Sequence, residues 1–248
     1  MLSRDIAQER RRAAQGAADR EHDIAGSLLG NLGYHLKMIA DYDGAKRHFE
    51  RALNLEQATH GPTHPNVAAS YNNLGYALLQ QGELDHAKKN IKWALRINES
   101  SQNTSTNRLS DQHNNLGGVF LRNKELDNAR FHFEKALSVD NEAFHTAKIS
   151  LATSHSNLGL VLHEQGDLTG ARDHFERALG IDEAAFGADH PNAAIDRNNL
   201  GGVYLDQGHP ASARGHFERA LAILRKHFGD DHPHTQGVRR NLHFLDNR

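Results

Sequence analysis

Asn72-Asn73-Leu74-Gly75 is the stretch whose reading decides the fold, because its Asn-Leu core returns along the chain at one fixed interval. The second asparagine and its counterparts are Asn31, Asn73, Asn115, Asn157, Asn199 and Asn241, each 42 residues after the one before. A constant period of about 20–50 residues marks a stack of supersecondary units, each too small to bury its apolar face alone, rather than one globular core.

The composition suits such a stack. Hydrophobic residues make up 38% of the 248 and aromatics only 6%, so each unit has apolar surface for its neighbours and little more. Lys and Arg (29) nearly balance Asp and Glu (31), which gives no general field for nucleic acid or an acidic membrane. With no cysteine there is no disulfide, thiolate zinc site or cysteine nucleophile, and a reducing compartment fits. Met1 to Arg20 carries Arg10-Arg11-Arg12 but no apolar core, so it does not read as a signal peptide, and no window is apolar enough to span a bilayer. The expectation is a cytoplasmic protein.

Around the quoted stretch the chain reads as alternating helices. Ser3 to Ala18 forms a thin, Gly16-interrupted helical pattern, giving a separate helical or frayed segment over 1–21. From Asp23, Ile24, Leu28, Leu32 and Leu36 predict one buried stripe on a helix ending near Asp41. A second helix follows with Ala45, Phe49, Ala52 and Leu53, and the set returns as Ala87, Ile91, Ala94 and Leu95, then at Phe133, Phe175 and Phe217. Each repeat is therefore a helix pair. Gly33, Gly75, Gly117, Gly159 and Gly201 lie on the first helices, where glycine costs about 1 kcal/mol against alanine. Close approach of the partner helix explains them, with the large residues expected to fill the space between repeats.

Gln81-Gly82, Gln165-Gly166 and Gln207-Gly208 mark turns within pairs, and His64-Pro65-Asn66, Asp189-His190-Pro191 and Asp231-His232-Pro233 join one pair to the next. Asn98 to Asn107 and Lys148-Ile149 depart from that joint without breaking register. The array thus covers 22–248, with repeats near 22–63, 64–105, 106–147, 148–189 and 190–231. A half-repeat helix at 232–248 serves as an end cap, or as a boundary within a longer array.

These residues resemble the tetratricopeptide repeat family. The succession Asn-Asn-Leu-Gly, Gln-Gly, Phe-Glu-Arg-Ala-Leu and Phe-Gly-x-Asp-His-Pro is similar to the 42-residue repeats of kinesin light chains and of bacterial signalling ATPases. The resemblance implies an all-α, right-handed α-solenoid of antiparallel helix pairs whose first helices line a concave, peptide-binding groove. Residues at the groove positions are Asn31, Tyr34, Asn72, Asn73, Tyr76, Asn114, Asn115, Arg122, Asn157, Asn198 and Asn199. A carboxamide donates and accepts, so an Asn row can hold a peptide backbone whatever its side chains. Equally, each Asn can staple neighbouring helices, and sequence alone leaves both roles open.

Lys37, Arg122 and Arg240 are too few, against Asp111, Glu164 and Asp206, for a clamp on acidic chain termini. His48, His132, His174 and His216 form a row about 8–10 Å apart, too wide to share an ion, and read as a solvated surface row. His227, His232 and His234 with Asp230 and Asp231 are a better ligand set, but they sit on a joint the repeat explains and match no zinc spacing. No nucleophile, phosphate loop or acid pair stands out. The sequence therefore predicts a scaffold, not an enzyme, without cofactor or metal. Its partner is a protein or extended peptide rather than nucleic acid or membrane, with a homo-oligomer left open. The alternative is a sensor or oligomerisation segment of a larger signalling ATPase.

Overall fold

The structure, a computed structural model, describes the backbone of residues 2–101, 106–142 and 148–247 and the side chains of 20–101, 108–142 and 150–247. The described residues form eleven helices and no strand, an all-α helical repeat array. In order they are α1 (Leu2–Met38), α2 (Tyr42–His60), α3 (Pro65–Gln81), α4 (Leu84–Ser100), α5 (Thr106–Arg122), α6 (Leu126–Glu142), α7 (Lys148–Glu164), α8 (Leu168–Phe186), α9 (Pro191–Asp206), α10 (Pro210–Phe228) and α11 (Pro233–Asp246). They fall into two compact units, Met1–Val119 and Phe120–Arg248. Asn98, the start of the proline-free joint, is buried, and most of the rest of that joint lies outside the described residues.

In both units the glycines of the first helices receive a large side chain from the second. A Cβ built on Gly33 would lie 2.6 Å from the Phe49 ring, on Gly75 2.5 Å from Ile91, on Gly159 2.8 Å from Phe175 and on Gly201 2.5 Å from Phe217. Phe49, Ile91, Phe175 and Phe217 are at most 1% exposed, and Ala45, Ala87, Ala171 and Ala213 beside them have no exposed surface. The large residues thus fill a notch inside their own helix pair, not a gap between repeats as the sequence suggested. A phenyl ring laid where a methyl would stand brings the two helices together and leaves no void.

Two other expectations change. The segment before Asp23 is not a separate element, because α1 runs unbroken from Leu2 to Met38. The stripe expected to be buried is open, with Ile24 and Leu28 62% exposed and Leu32 47%. Its counterparts Leu74, Leu158 and Leu200 are buried because α3, α7 and α9 pack against α2, α6 and α8 before them. Among the described residues α1 packs only on α2 and, lightly, on α3, so that side of it has no cover.

The turns and joints follow the sequence signals. Gly82, Gly166 and Gly208 take φ of +81°, +85° and +79°, and at the same point of the first turn Ala40 adopts +62° and of the third Lys124 adopts +59°, at a cost of about 1–2 kcal/mol each. His64, His190 and His232 cap α3, α9 and α11, each Nδ1 accepting the N–H two residues on at 3.2–3.3 Å. Their rings stack on His60, Phe186 and Phe228 at 4.1–4.4 Å between centroids. That use of His232, together with the pairing of Asp230 to Arg225 and Arg239, gives the histidine-rich joint a structural role.

The row of histidines on the second helices is not solvated as expected. His132 stacks on Phe120, His216 on Tyr204, and His174 Nδ1 lies 2.9 Å from His155 Nδ1, so all three rings are half-buried against the preceding helix. Burial lowers the pKa of His174 and His216, and brings His155 down to about 4.

The core also holds a polar row at the repeat period: Glu56, Asn98, Asp140 and Asp182, each at most 5% exposed. Ser154 donates to Asp140 at 2.6 Å, and nearby Ser156 donates to Asp196 at 2.8 Å. Burial raises Asp182 to about 6 and Asp196 to about 7, the latter helped by Asp182 and opposed by the Ser156 hydrogen bond. The native pKa of Asp196 lies above its ordinary 3.8, so between these values the folded chain holds a proton the unfolded chain has released. Its contribution is therefore complete at low pH and lost as pH rises through 7. Asp196→Asn, measured by urea unfolding, gains stability over wild type at pH 8, and the difference shrinks by pH 5.

Candidate functional site on the first-helix face

In the first unit α1 carries Asn31, Tyr34, Lys37 and Met38 at helical spacing, and α3 presents Asn72, Asn73, Tyr76 and Gln80 beside them. Lys37 sits between two tyrosines one repeat apart, its Nζ 4.4 Å from the Tyr34 ring centre and 4.7 Å from that of Tyr76. Cation–π attraction offsets its lost hydration, and burial still lowers its pKa although Asp111 on α5 acts the other way. Tyr34 is 49% and Met38 53% exposed, so the sandwich borders open apolar surface. The sequence placed Lys37 on this face as one of three candidate cations, with Arg122 and Arg240. Its place between rings was legible only as the recurrence of tyrosine one repeat apart, at Tyr34, three residues before it, and at Tyr76.

The asparagines divide into two groups. Asn115 Nδ2 donates to Asn72 Oδ1 at 3.0 Å, Asn241 to Asn198 at 2.8 Å, and Asn199 to Ser156 Oγ at 3.4 Å. Each bond reaches back 43 residues, from one first helix to the preceding one, so these residues staple successive pairs. For Asn73 the position 43 residues back is Gly30, which has no side chain to receive it. Asn73 and Asn31 consequently make no side-chain hydrogen bond among the described residues; Asn31 is exposed and Asn73 half-buried. Even the stapled residues keep capacity in reserve, since the bond takes one of the two Asn115 donors and one of the two Asn72 lone pairs.

The remaining groove positions differ among themselves. Asn114 is 7% exposed and leans on Ser110 of its own helix at 3.5 Å, which leaves it little surface. In the second unit Arg122 is exposed, and Asn157, Asn198 and Asn199 are half-buried. The acidic groups on this unit's face are already paired, Glu164 with Lys124 at 2.8 Å and Asp206 with His163 at 2.7 Å.

Stapling is separable from display by comparing two variants whose gain in helix propensity is the same. Asn115→Ala unfolds more easily than Asn73→Ala by about 1 kcal/mol in thermal or urea melts, because only the first leaves a partner unpaired.

A tetratricopeptide repeat family model matches residues 23–100 and 150–226, and a second tetratricopeptide repeat model matches 113–142. No curated protein matches the sequence. Among solved structures, the Rap conjugation gene regulator of plasmid pLS20, in complex with a Phr peptide, is similar with a TM-score of 0.77 and 18% identity over 94% of this chain and 61% of that one. A thermophilic TPR protein of Thermus thermophilus is similar at 0.64 and 21% identity, covering 90% of this chain and all (100%) of that one. Nearly identical TPR-like repeats of a candidate Podosopora anserina kinesin light chain match at 0.58 and 18% identity, over 81% and 95% of the two chains.

Proposed function

Because the chain belongs to the tetratricopeptide repeat family, we propose that it is a protein-interaction scaffold, not a catalyst, whose first-helix face takes up an extended peptide. The observation that carries this reading is in the first unit, where Asn31 and Asn73 present carboxamides the repeat does not consume, beside the Tyr34–Lys37–Tyr76 sandwich. An extended backbone offers alternating N–H and C=O groups to such carboxamides, and tyrosines add contact area at low entropic cost. Lys37 suits one carboxylate of the peptide rather than a doubly charged terminus. Asn72, Asn115 and, in the second unit, Arg122, Asn157, Asn198 and Asn199 extend the same kind of surface. The Rap regulator, similar in fold, is itself bound to a peptide, which agrees with this use of the architecture. No helix among the described residues is long and apolar enough to cross a membrane.

The uncovered stripe of Ile24, Leu28 and Leu32 favours a second reading, an assembly segment of a larger signalling protein that packs α1 against another copy or another domain.

Peptides selected from a random library on the intact chain, with affinities read by fluorescence polarisation, test the first reading. Replacing Asn31 and Asn73 together with alanine weakens binding at least 10-fold while helicity and melting are kept. Peptides that ignore this variant would overturn the reading. A mass that rises with concentration in light scattering and falls back in Leu28→Glu would support assembly instead.

A further inference from the structure

In α8 and α10 the last residue is an aromatic that stacks on the capping histidine of the next helix, Phe186 on His190 and Phe228 on His232. The first repeat puts His60 there, still stacked on His64 at 4.1 Å. Three neighbours change with it. Asp23 replaces the proline of Pro65, Pro191 and Pro233; Gly26 replaces the alanine of Ala68, Ala152 and Ala194; and Glu56 holds the buried polar position occupied by Asp140 and Asp182. A Cβ on Gly26 would collide with the Glu56 carboxylate, so the glycine makes room for it.

The result is a compact set of donor atoms joining α1 and α2. His60 Nε2 lies 2.7 Å from Asp23 Oδ1 and 3.3 Å from Glu56 Oε2, and the three donor atoms lie within 4.8 Å of one another. Glu56 is only 5% exposed. All three inward atoms are closed to solvent, and despite the short separations none makes a hydrogen bond of acceptable geometry. Three donors converging on one point with that need unmet are better explained by an ion between them than by a bare ion pair.

We propose that Asp23, Glu56 and His60 bind a single zinc ion that ties α1 to α2. Tetrahedral zinc with bonds of about 2.0–2.2 Å needs ligand atoms about 3.3 Å apart. The Glu56–His60 separation already meets this, and Asp23, 45% exposed at its side chain, has freedom to open the other by about half an ångström. An imidazole with two carboxylates selects zinc over calcium or magnesium, which prefer oxygen alone. Glu56 and His60, four apart on α2, project from one face, and the stacked His64 ring fixes the imidazole as an outer-shell partner does. The exposed side of Asp23 leaves the fourth position to water.

The test uses the full 248-residue chain stripped of metal with EDTA and titrated with zinc against a chromophoric chelator. Wild type binds one ion tightly, well above the weak sites its other histidines supply, and its melting temperature rises by several degrees. His60→Phe supplies the residue that α8 and α10 use at this position, stacked on the same capping histidine, so it folds, yet its zinc affinity falls at least about 100-fold and the thermal shift disappears. Asp23→Asn, nearly isosteric, gives a second reading of the same loss. With cobalt in place of zinc, wild type shows the visible absorption of a four-coordinate site and His60→Phe does not. Equal affinity and stoichiometry in wild type and His60→Phe, or no tight site in wild type, would overturn the proposal and leave the triad a histidine–carboxylate ion pair.

Discussion

The ring of one helix set into the missing Cβ of another is the contact on which the rest of the molecule depends. Phe49 over Gly33, Phe175 over Gly159 and Phe217 over Gly201 each close a pair, and Ile91 over Gly75 does so with a smaller side chain. Glycine is a poor helix former, and the packing of a fully buried ring offsets that loss. Because the joint needs a fixed distance between glycine and ring, the constant 16 residues from Gly33 to Phe49, Gly75 to Ile91, Gly159 to Phe175 and Gly201 to Phe217 follow from it, as do the alanines beside the ring. The opposite face of each first helix is thereby released from packing duty.

What that face does depends on its neighbours one repeat back. Where the preceding helix offers Asn72, Ser156 or Asn198, the asparagine that follows is drawn into a staple. Where it offers Gly30, Asn73 is left for something else. The first pair is unusual in several such ways at once. It supplies Tyr34 and Lys37 to the sandwich with Tyr76 of α3, and it holds an uncovered apolar stripe and the Asp23–Glu56–His60 cluster, all within the first unit. Residues that repeat build the array, and residues that break the repeat mark its specific chemistry.

The sequence made the architecture legible because periodicity is a redundant signal: the Asn ladder, the glycines, the Phe and Ala sets and the His-Pro joints all state the same interval. Apolar patterning cannot say which repeat lacks a neighbour, so Ile24, Leu28 and Leu32 read as buried when they are not. The row of histidines misled for a related reason. A polar residue just before a buried Phe reads as surface, but His132, His174 and His216 find a ring to lie against on the preceding helix. The burial of carboxylates such as Asp182 and Asp196 escapes sequence reading, since their place is set by partners on other helices, Asn192 of α9 and Ser156 of α7. The triad of Asp23, Glu56 and His60 was visible only as departures from the repeat, and only the fold brings them together.

A double-mutant cycle on Gly201 and Phe217 tests most directly whether the ring-in-notch contact organises the array. Gly201→Ala alone costs about 1–3 kcal/mol although alanine favours a helix, because its methyl meets the Phe217 ring. Phe217→Leu makes room for that methyl, so the double variant is more stable than the sum of the singles by at least about 1 kcal/mol in urea unfolding. Additivity within about 0.5 kcal/mol would contradict the account.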